Sequence, residues 1–180
     1  MIGAIIGDIV GSVYEFESYK SKQFPLFSAG CRPTDDSLMT LAVGAACLSD
    51  CEEEDAFKQV LVRQMRRIGR QNPDAGYGGS FYDWLMGNNP APYGSYGNGS
   101  AMRVSPVAYA AQTLKEAEKL AKWSAEVTHN HPEGIKGAQA VAAAVFLARQ
   151  GEGKAAIRRY VQEKYYDLDF RLDDIRPTYR

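Results

Sequence analysis

The sequence predicts an all-α fold, and three observations carry that prediction. Apolar residues recur with the 3.6-residue period of a helix in segment after segment. A helix start is written at Thr34, where a hydroxyl residue precedes two acids that suit the positive end of a helix dipole. No stretch alternates apolar and polar residues for long enough to build a sheet. From the N-terminus, Ile2, Ile5, Ile6, Ile9, Val10 and Val13 mark a first helix over 2–13. Gly3, Gly7 and Gly11 form a bare stripe along it. Each glycine costs a helix interior about 1 kcal/mol relative to alanine, so the stripe predicts close approach of another backbone or a ligand. A second helix starts at Thr34 and is expected to turn Leu38, Leu41, Ala42, Ala45 and Leu48 inward. A third spans about 53–70, with Phe57, Val60, Leu61, Met65 and Ile68 on one face. Further helices are expected near 101–112, 115–128, 133–150 and 153–166.

Between the third helix and the next lies an exception. Residues 71–100 hold seven glycines, three prolines and four tyrosines, with one short helical piece around Ser80–Met86. So long a segment with little regular structure is uncommon inside a compact domain and usually serves function.

Composition bounds the function classes. The 180 residues fit one domain, 1–180, and 45% hydrophobic with 24% charged residues is a globular rather than a disordered composition. Net charge is −1 with a pI near 6.1, and no basic run could track a phosphate backbone, which argues against a nucleic-acid partner. The apolar opening Met1–Ile6 has no basic flank and is interrupted by Asp8, unlike a signal peptide. No run reaches the roughly 18 apolar residues that span a bilayer. Cys31, Cys47 and Cys51 are an odd set without a zinc spacing, and read as reduced thiols of a cytoplasmic protein.

Chemistry-bearing residues gather at four places. Asp8 and Glu15, seven apart, would share one helix face at roughly 10 Å, with Ser12 between them; a solvated helix face accounts for them equally well. In Pro33-Thr34-Asp35-Asp36-Ser37 the plain reading is an N-cap with acids in the first turn. That reading leaves unexplained why two carboxylates and a hydroxyl open an otherwise apolar helix. Hard oxygen donors on a rigid helix end suit magnesium, calcium or manganese. Gly94-Ser95-Tyr96-Gly97-Asn98-Gly99-Ser100 leads into a helix, either as a connector or as a cradle of backbone N–H groups suited to phosphate. The two histidines, His129 and His131, fall in one turn punctuated by Pro132 and Gly134, where one of them could contact a ligand.

Taken together, these pieces resemble the ADP-ribosylglycohydrolases. Gly3-Ala4-Ile5-Ile6-Gly7-Asp8-Ile9-Val10-Gly11-Ser12 with Tyr14-Glu15 looks like the N-terminus of that family, and Thr34-Asp35-Asp36-Ser37 like its first metal motif. Tyr96-Gly97-Asn98-Gly99-Ser100-Ala101-Met102-Arg103 is similar to its ADP-ribose-binding loop, and Thr128-His129 to its later substrate-side turn. The resemblance implies an all-α fold with a binuclear magnesium site, manganese being the other candidate, and removal of ADP-ribose from modified protein side chains or small ADP-ribosyl compounds. It implies Thr34, Asp35 and Asp36 as metal ligands and Glu15 with Asp36 as the catalytic carboxylates. Ser95, Tyr96, Gly97, Asn98 and Gly99 would hold the diphosphate and ribose, with His129 beside the substrate.

One departure shapes the expectations. The family's glycine-rich Asp-x-Asp-Ser/Thr motif, which supplies the remaining metal ligands, is missing; the nearest acidic pair, Asp173-Asp174, runs into Ile175-Arg176-Pro177. The reading is therefore a C-terminally incomplete domain holding at most one cation, with little activity. Its surface, left bare by missing helices, would invite self-association. The alternative is a non-catalytic ADP-ribose-binding or structural protein on the same scaffold.

Overall fold

The computed structural model describes residues 1–16, 19–49 and 51–178, and among them the regular structure is entirely helical. Two packed helix pairs make the body. The helices α2 (Asp35–Cys47) and α3 (Glu54–Gln71) form one, and α7 (Leu114–Glu126) with α8 (Pro132–Arg149) the other. The short α4 (Gly79–Met86) lies against α3. The core fills the space between them with Met39 and Val43 of α2, Phe57, Leu61 and Met65 of α3, Trp84 and Leu85 of α4, and Trp123 of α7. Each such side chain contributes roughly 1.5–3 kcal/mol on burial. Small residues set the spacing. Ala117, Ala121 and Ala125 recur every fourth residue on α7 and meet the alanine-rich α8. Gly69 lets α4 approach α3, since a Cβ there would stand 2.8 Å from the Leu85 methyls.

Caps explain the helix starts. Thr113 accepts the Glu116 amide at 3.1 Å, while the Glu116 carboxylate accepts the Gln112 amide at 2.8 Å. At α8, Pro132 occupies the first turn and exposed His131 is the cap, its Nδ1 accepting the Glu133 amide at 3.1 Å. The outer helix α9 (Lys154–Lys164) buries no residue fully. It is tied down by Glu118, which is 8% exposed and accepts from Tyr160 at 2.6 Å, Tyr165 at 2.5 Å and Lys164 at 2.6 Å. Burial opposes ionisation of this carboxyl, but its hydrogen bonds from Lys164 and the two tyrosines hold it below the usual carboxylate range. The chain continues through α10 (Leu172–Ile175), and the end of the expected 1–180 domain lies outside the described residues.

Four expectations are corrected. The first helix, α1 (Ile2–Gly11), ends before Glu15, so Asp8 and Glu15 do not share a helix face. The glycine stripe meets nothing: no heavy atom lies within 4 Å of a Cβ built at Gly3, Gly7 or Gly11. Leu41 and Leu48 point outward at 45% and 88% exposure, because α2 is apolar nearly all round and its period does not say which face meets the core. Residues 101–112 are two short turns, α5 (Gly99–Met102) and α6 (Val107–Ala110), separated where Pro106 removes a donor from the ladder. Outward Leu41 and Leu48, with Met1, Ile2 and Tyr109, bound an open apolar groove of about 640 Å³. Among the described residues no helix is long and apolar enough to cross a membrane. Cys31, Cys47 and Cys51 are unpaired, and Cys47 packs against the core, its thiol pushed up to about 12 by burial.

Candidate functional site

The site begins with Asp8, which α1 delivers to the start of α2. Its carboxylate accepts the Thr34 amide at 2.8 Å and the Ser37 amide at 3.2 Å, and takes hydrogen bonds from both hydroxyls, Thr34 Oγ1 and Ser37 Oγ. Asp8 is thus the cap of α2, supplied from another helix. Thr34 sits at the N-cap position in extended backbone but makes no side-chain bond to its own helix. The plain N-cap reading of Thr34 is replaced: its proton is committed to Asp8, and only lone pairs remain on its oxygen. Ser12 is structural, its Oγ donating to Ile9 O and accepting the Arg32 amide.

Beyond this anchor the acids crowd together. Asp35 is half-buried, and its carboxyl is pushed up to about 7 by burial, then by the charges of Asp36, Glu15 and Asp8. Asp36 is raised for the same reasons, burial first and then Asp8 and Glu15. Glu15 is exposed and lies beyond the end of α1, and its charge contributes to raising both aspartates. The Asp35 amide donates to Ala75 O at 2.9 Å. The next residue, Gly76, turns at φ +97°, and a Cβ built on it would stand 3.8 Å from Asp35 Oδ1. Among the described residues no three His, Cys, Asp or Glu side chains converge as a ready-made metal cage.

The glycine-rich loop is strapped along the turn before α8. Tyr93 N donates to Thr128 O at 3.3 Å, Gly94 N to Asn130 Oδ1 at 2.7 Å, and Ser100 Oγ to Gly134 O at 2.7 Å. The loop rides on the His129 ring. A Cβ at Gly99 would stand 2.9 Å from Nε2, and one at Gly134 would stand 2.7 Å from Ser95 O. Ser95 Oγ accepts the Gly97 amide at 3.3 Å. Tyr96 is exposed, with its ring 5.4 Å from that of His131. The helix expected to follow the cradle is the four-residue α5, too short for a useful dipole. Positive charge comes instead from Arg103, which is 1% exposed, lies beneath the cradle, and enters none of the ion pairs among the described residues. Burial lowers it to about 10, so it remains a cation at neutral pH.

A single cleft of about 470 Å³ joins these parts. Asp35, Ser95, Tyr96, Gly97, Asn98, Gly99 and His129 all line it, with Arg103 in the wall. Of the sequence-predicted residues, Asp35, the loop and His129 meet directly in the cleft. Thr34 is buried and turned to Asp8, and Asp36 and Glu15 are not among the residues that line the cleft. His129, 4% exposed, is the histidine of the site, and burial followed by Arg103 lowers it to about 4. His131 is left to cap α8. Sequence reasoning assigned no role to Arg103, nor to Gly78–Phe81, which complete the cleft wall. The signal for Arg103 was its place inside the loop-to-helix motif, where a long cation follows three apolar or small residues.

An aspartate, a glycine-rich loop and a buried histidine around one cleft can be set against known proteins. The family model described as ADP-ribosylglycohydrolase matches residues 1–178. The chain is 32% identical to the mouse protein named ADP-ribosylhydrolase ARH3 over 184 residues, covering 84% of this chain and 48% of that protein. The cattle and human proteins of the same name are each 30% identical, covering 86% of this chain and 50% of their own lengths. The chain thus spans about half the length of the curated relatives it matches. With a family model covering nearly every residue, and residues of three of the four motifs lining one cleft, the chain belongs to the ADP-ribosylglycohydrolase family.

Proposed function

We propose that the cleft binds the ADP-ribosyl group of a modified protein or small ADP-ribosyl compound, and that the acid end, with a divalent cation, supports hydrolysis of its glycosidic bond. The observation that carries this reading is the set of groups around one cleft. An aspartate, a glycine-rich loop, a buried imidazole and a buried guanidinium all line it. A ligand that carries both a diphosphate and a ribose rich in hydroxyls matches that lining.

The donor set fits a hard cation. Thr34 Oγ1, with its proton on Asp8, offers lone pairs only, and Asp35 and Asp36 carry charges raised in energy by burial and mutual repulsion, which a cation would relieve. Thr34, Asp35 and Asp36 would hold magnesium, or manganese, and such an ion would orient ribose hydroxyls and water and lower the pKa of that water. Glu15 would accept the proton of the attacking water while the leaving group departs with the electron pair of its bond to the anomeric carbon, and would then pass that proton to the leaving group. Asp36 would stabilise the positive charge that develops on the ribose. Ser95, Tyr96, Gly97, Asn98 and Gly99 bind and orient the diphosphate.

The second reading, ADP-ribose binding without turnover, draws on the donor set itself: one hydroxyl and two carboxylates suffice for one cation, with water completing the shell. Calorimetric titration with ADP-ribose and a hydrolysis assay on an ADP-ribosylated substrate, each with magnesium and with chelator, separate the two. Binding with turnover supports the enzyme, binding alone the second reading, and no binding in either buffer defeats both.

A further inference from the structure

We infer that Arg103 and Thr128 are positioning residues that hold His129 in its Nε2–H form, a neutral donor facing the glycine loop and suited to an anionic oxygen of the bound ligand. The identity of that ligand rests on the ADP-ribose reading; the tautomer does not. The argument is one of counting donors and acceptors. Arg103 can only donate, and its Nη2 donates to Ser124 O at 2.9 Å and to Thr128 Oγ1 at 2.8 Å. Thr128 is fully buried, and its hydroxyl has one proton, which must point away from the guanidinium. The acceptor within reach is His129 Nδ1, at 2.7 Å.

The opposite assignment, with Nδ1 donating to Thr128, would leave the threonine proton without a partner in a buried site, which costs more than the relay does. It would also turn the Nε2 lone pair toward the phosphate-type cradle, where like charge would meet a diphosphate. With Nδ1 accepting, a neutral imidazole carries its proton on Nε2. That nitrogen makes no hydrogen bond within the protein among the described residues, and it is the atom nearest a Cβ built at Gly99. Double protonation is disfavoured by burial of the ring and by the adjacent guanidinium. Arg103 thus does two things from a position closed to solvent. It orders the threonine proton, and it keeps the histidine neutral so that its outward nitrogen donates.

The test reads the tautomer directly. The chain has two histidines, so long-range nitrogen–proton correlation spectra of the nitrogen-labelled protein contain two ring patterns. A His131→Asn variant, which keeps a capping side chain, assigns them. At pH 7 the His129 pattern is expected to show Nε2 protonated and Nδ1 bare. Thr128→Val removes the relay while nearly preserving shape, and is expected to mix the two tautomers and weaken ADP-ribose binding about tenfold. Thr128→Ser restores the hydroxyl and is expected to restore both readouts. A wild-type pattern with Nδ1 protonated, alone or with Nε2, overturns the inference, as does an unchanged pattern in Thr128→Val. The wild-type spectrum decides even where Thr128→Val does not fold. Absence of ADP-ribose binding by a wild-type protein with the expected tautomer would sink the proposed function and leave the relay standing.

Discussion

Replacing Asp8 by asparagine tests how the acid end is built. The carboxylate takes two amides and two hydroxyls at the start of α2, and it comes from a helix 26 residues earlier in the chain. Charge-assisted hydrogen bonds are worth about 1.5–3 kcal/mol each, but the hydroxyls can turn to other partners, and asparagine keeps one oxygen for about half of the donors. The net loss is therefore closer to two bonds than four, about 3–6 kcal/mol. Against it, removing the charge relieves repulsion on Asp36 and Asp35, an effect on the order of 1 kcal/mol near the surface. The balance is a destabilisation of about 2–5 kcal/mol, which for a chain of this size lowers Tm by about 4–20 °C. Thermal unfolding followed by circular dichroism in chelator measures it. A cycle with Ser37→Ala isolates the coupling, since the serine substitution should cost less in the Asp8→Asn background than in the wild type. A Tm change below about 1 °C, or strict additivity in the cycle, would refute the view that Asp8 caps α2.

Three further outcomes are expected. In chelator, Asp35→Asn should stabilise the protein at pH 8. The folded-state pKa of Asp35 is raised to about 7, so ionising it costs the fold stability that returns as pH falls through 7 towards the unfolded value. Discounted for solvent screening, the gain at pH 8 is about 1–2 kcal/mol and should shrink by pH 5 and reverse in magnesium; urea titrations at the two pH values check it. Gly99→Ala places a methyl 2.9 Å from His129 Nε2 and should weaken ADP-ribose binding about tenfold while Tm changes little, as calorimetry and circular dichroism would show. Glu118→Ala removes the anchor of Tyr160, Lys164 and Tyr165, so amide hydrogen exchange in 154–164 should accelerate at least tenfold while exchange in α3 stays slow; equal acceleration in both would mean global rather than local loosening.

Helix positions were legible because α3, α7, α8 and α9 carry a strong 3.6-residue period and recognisable ends, and their observed limits fall within two residues of expectation. The breaks were less so. Most residues of 101–112 are apolar or small, and only the three-dimensional path shows that one turn ends at Met102 and another begins after Pro106. In α2 the amphipathic signal is weak, so Leu41 and Leu48 could not be sorted from Met39 and Val43 by pattern. A glycine stripe states that close approach is permitted; along α1 nothing among the described residues uses the permission.

By itself the sequence determined the helical class, the family to which its four motifs belong, and which residue types gather before 40, around 95–103 and at 128–129. These follow from local periodicity and from short contiguous patterns, which need no knowledge of the path between them. Only the tertiary structure decided that Asp8 caps α2, that Thr34 gives its proton to a hydrogen bond with Asp8, and that His129 faces the cleft while His131 caps α8. It alone showed Arg103 closing a hydrogen-bond relay to His129 from α5's end. Each of these is a pairing between groups distant in sequence, or a choice between near-identical neighbours. The choice is made by burial and by the cost of leaving a buried polar group without a partner, conditions that exist only once the helices have packed.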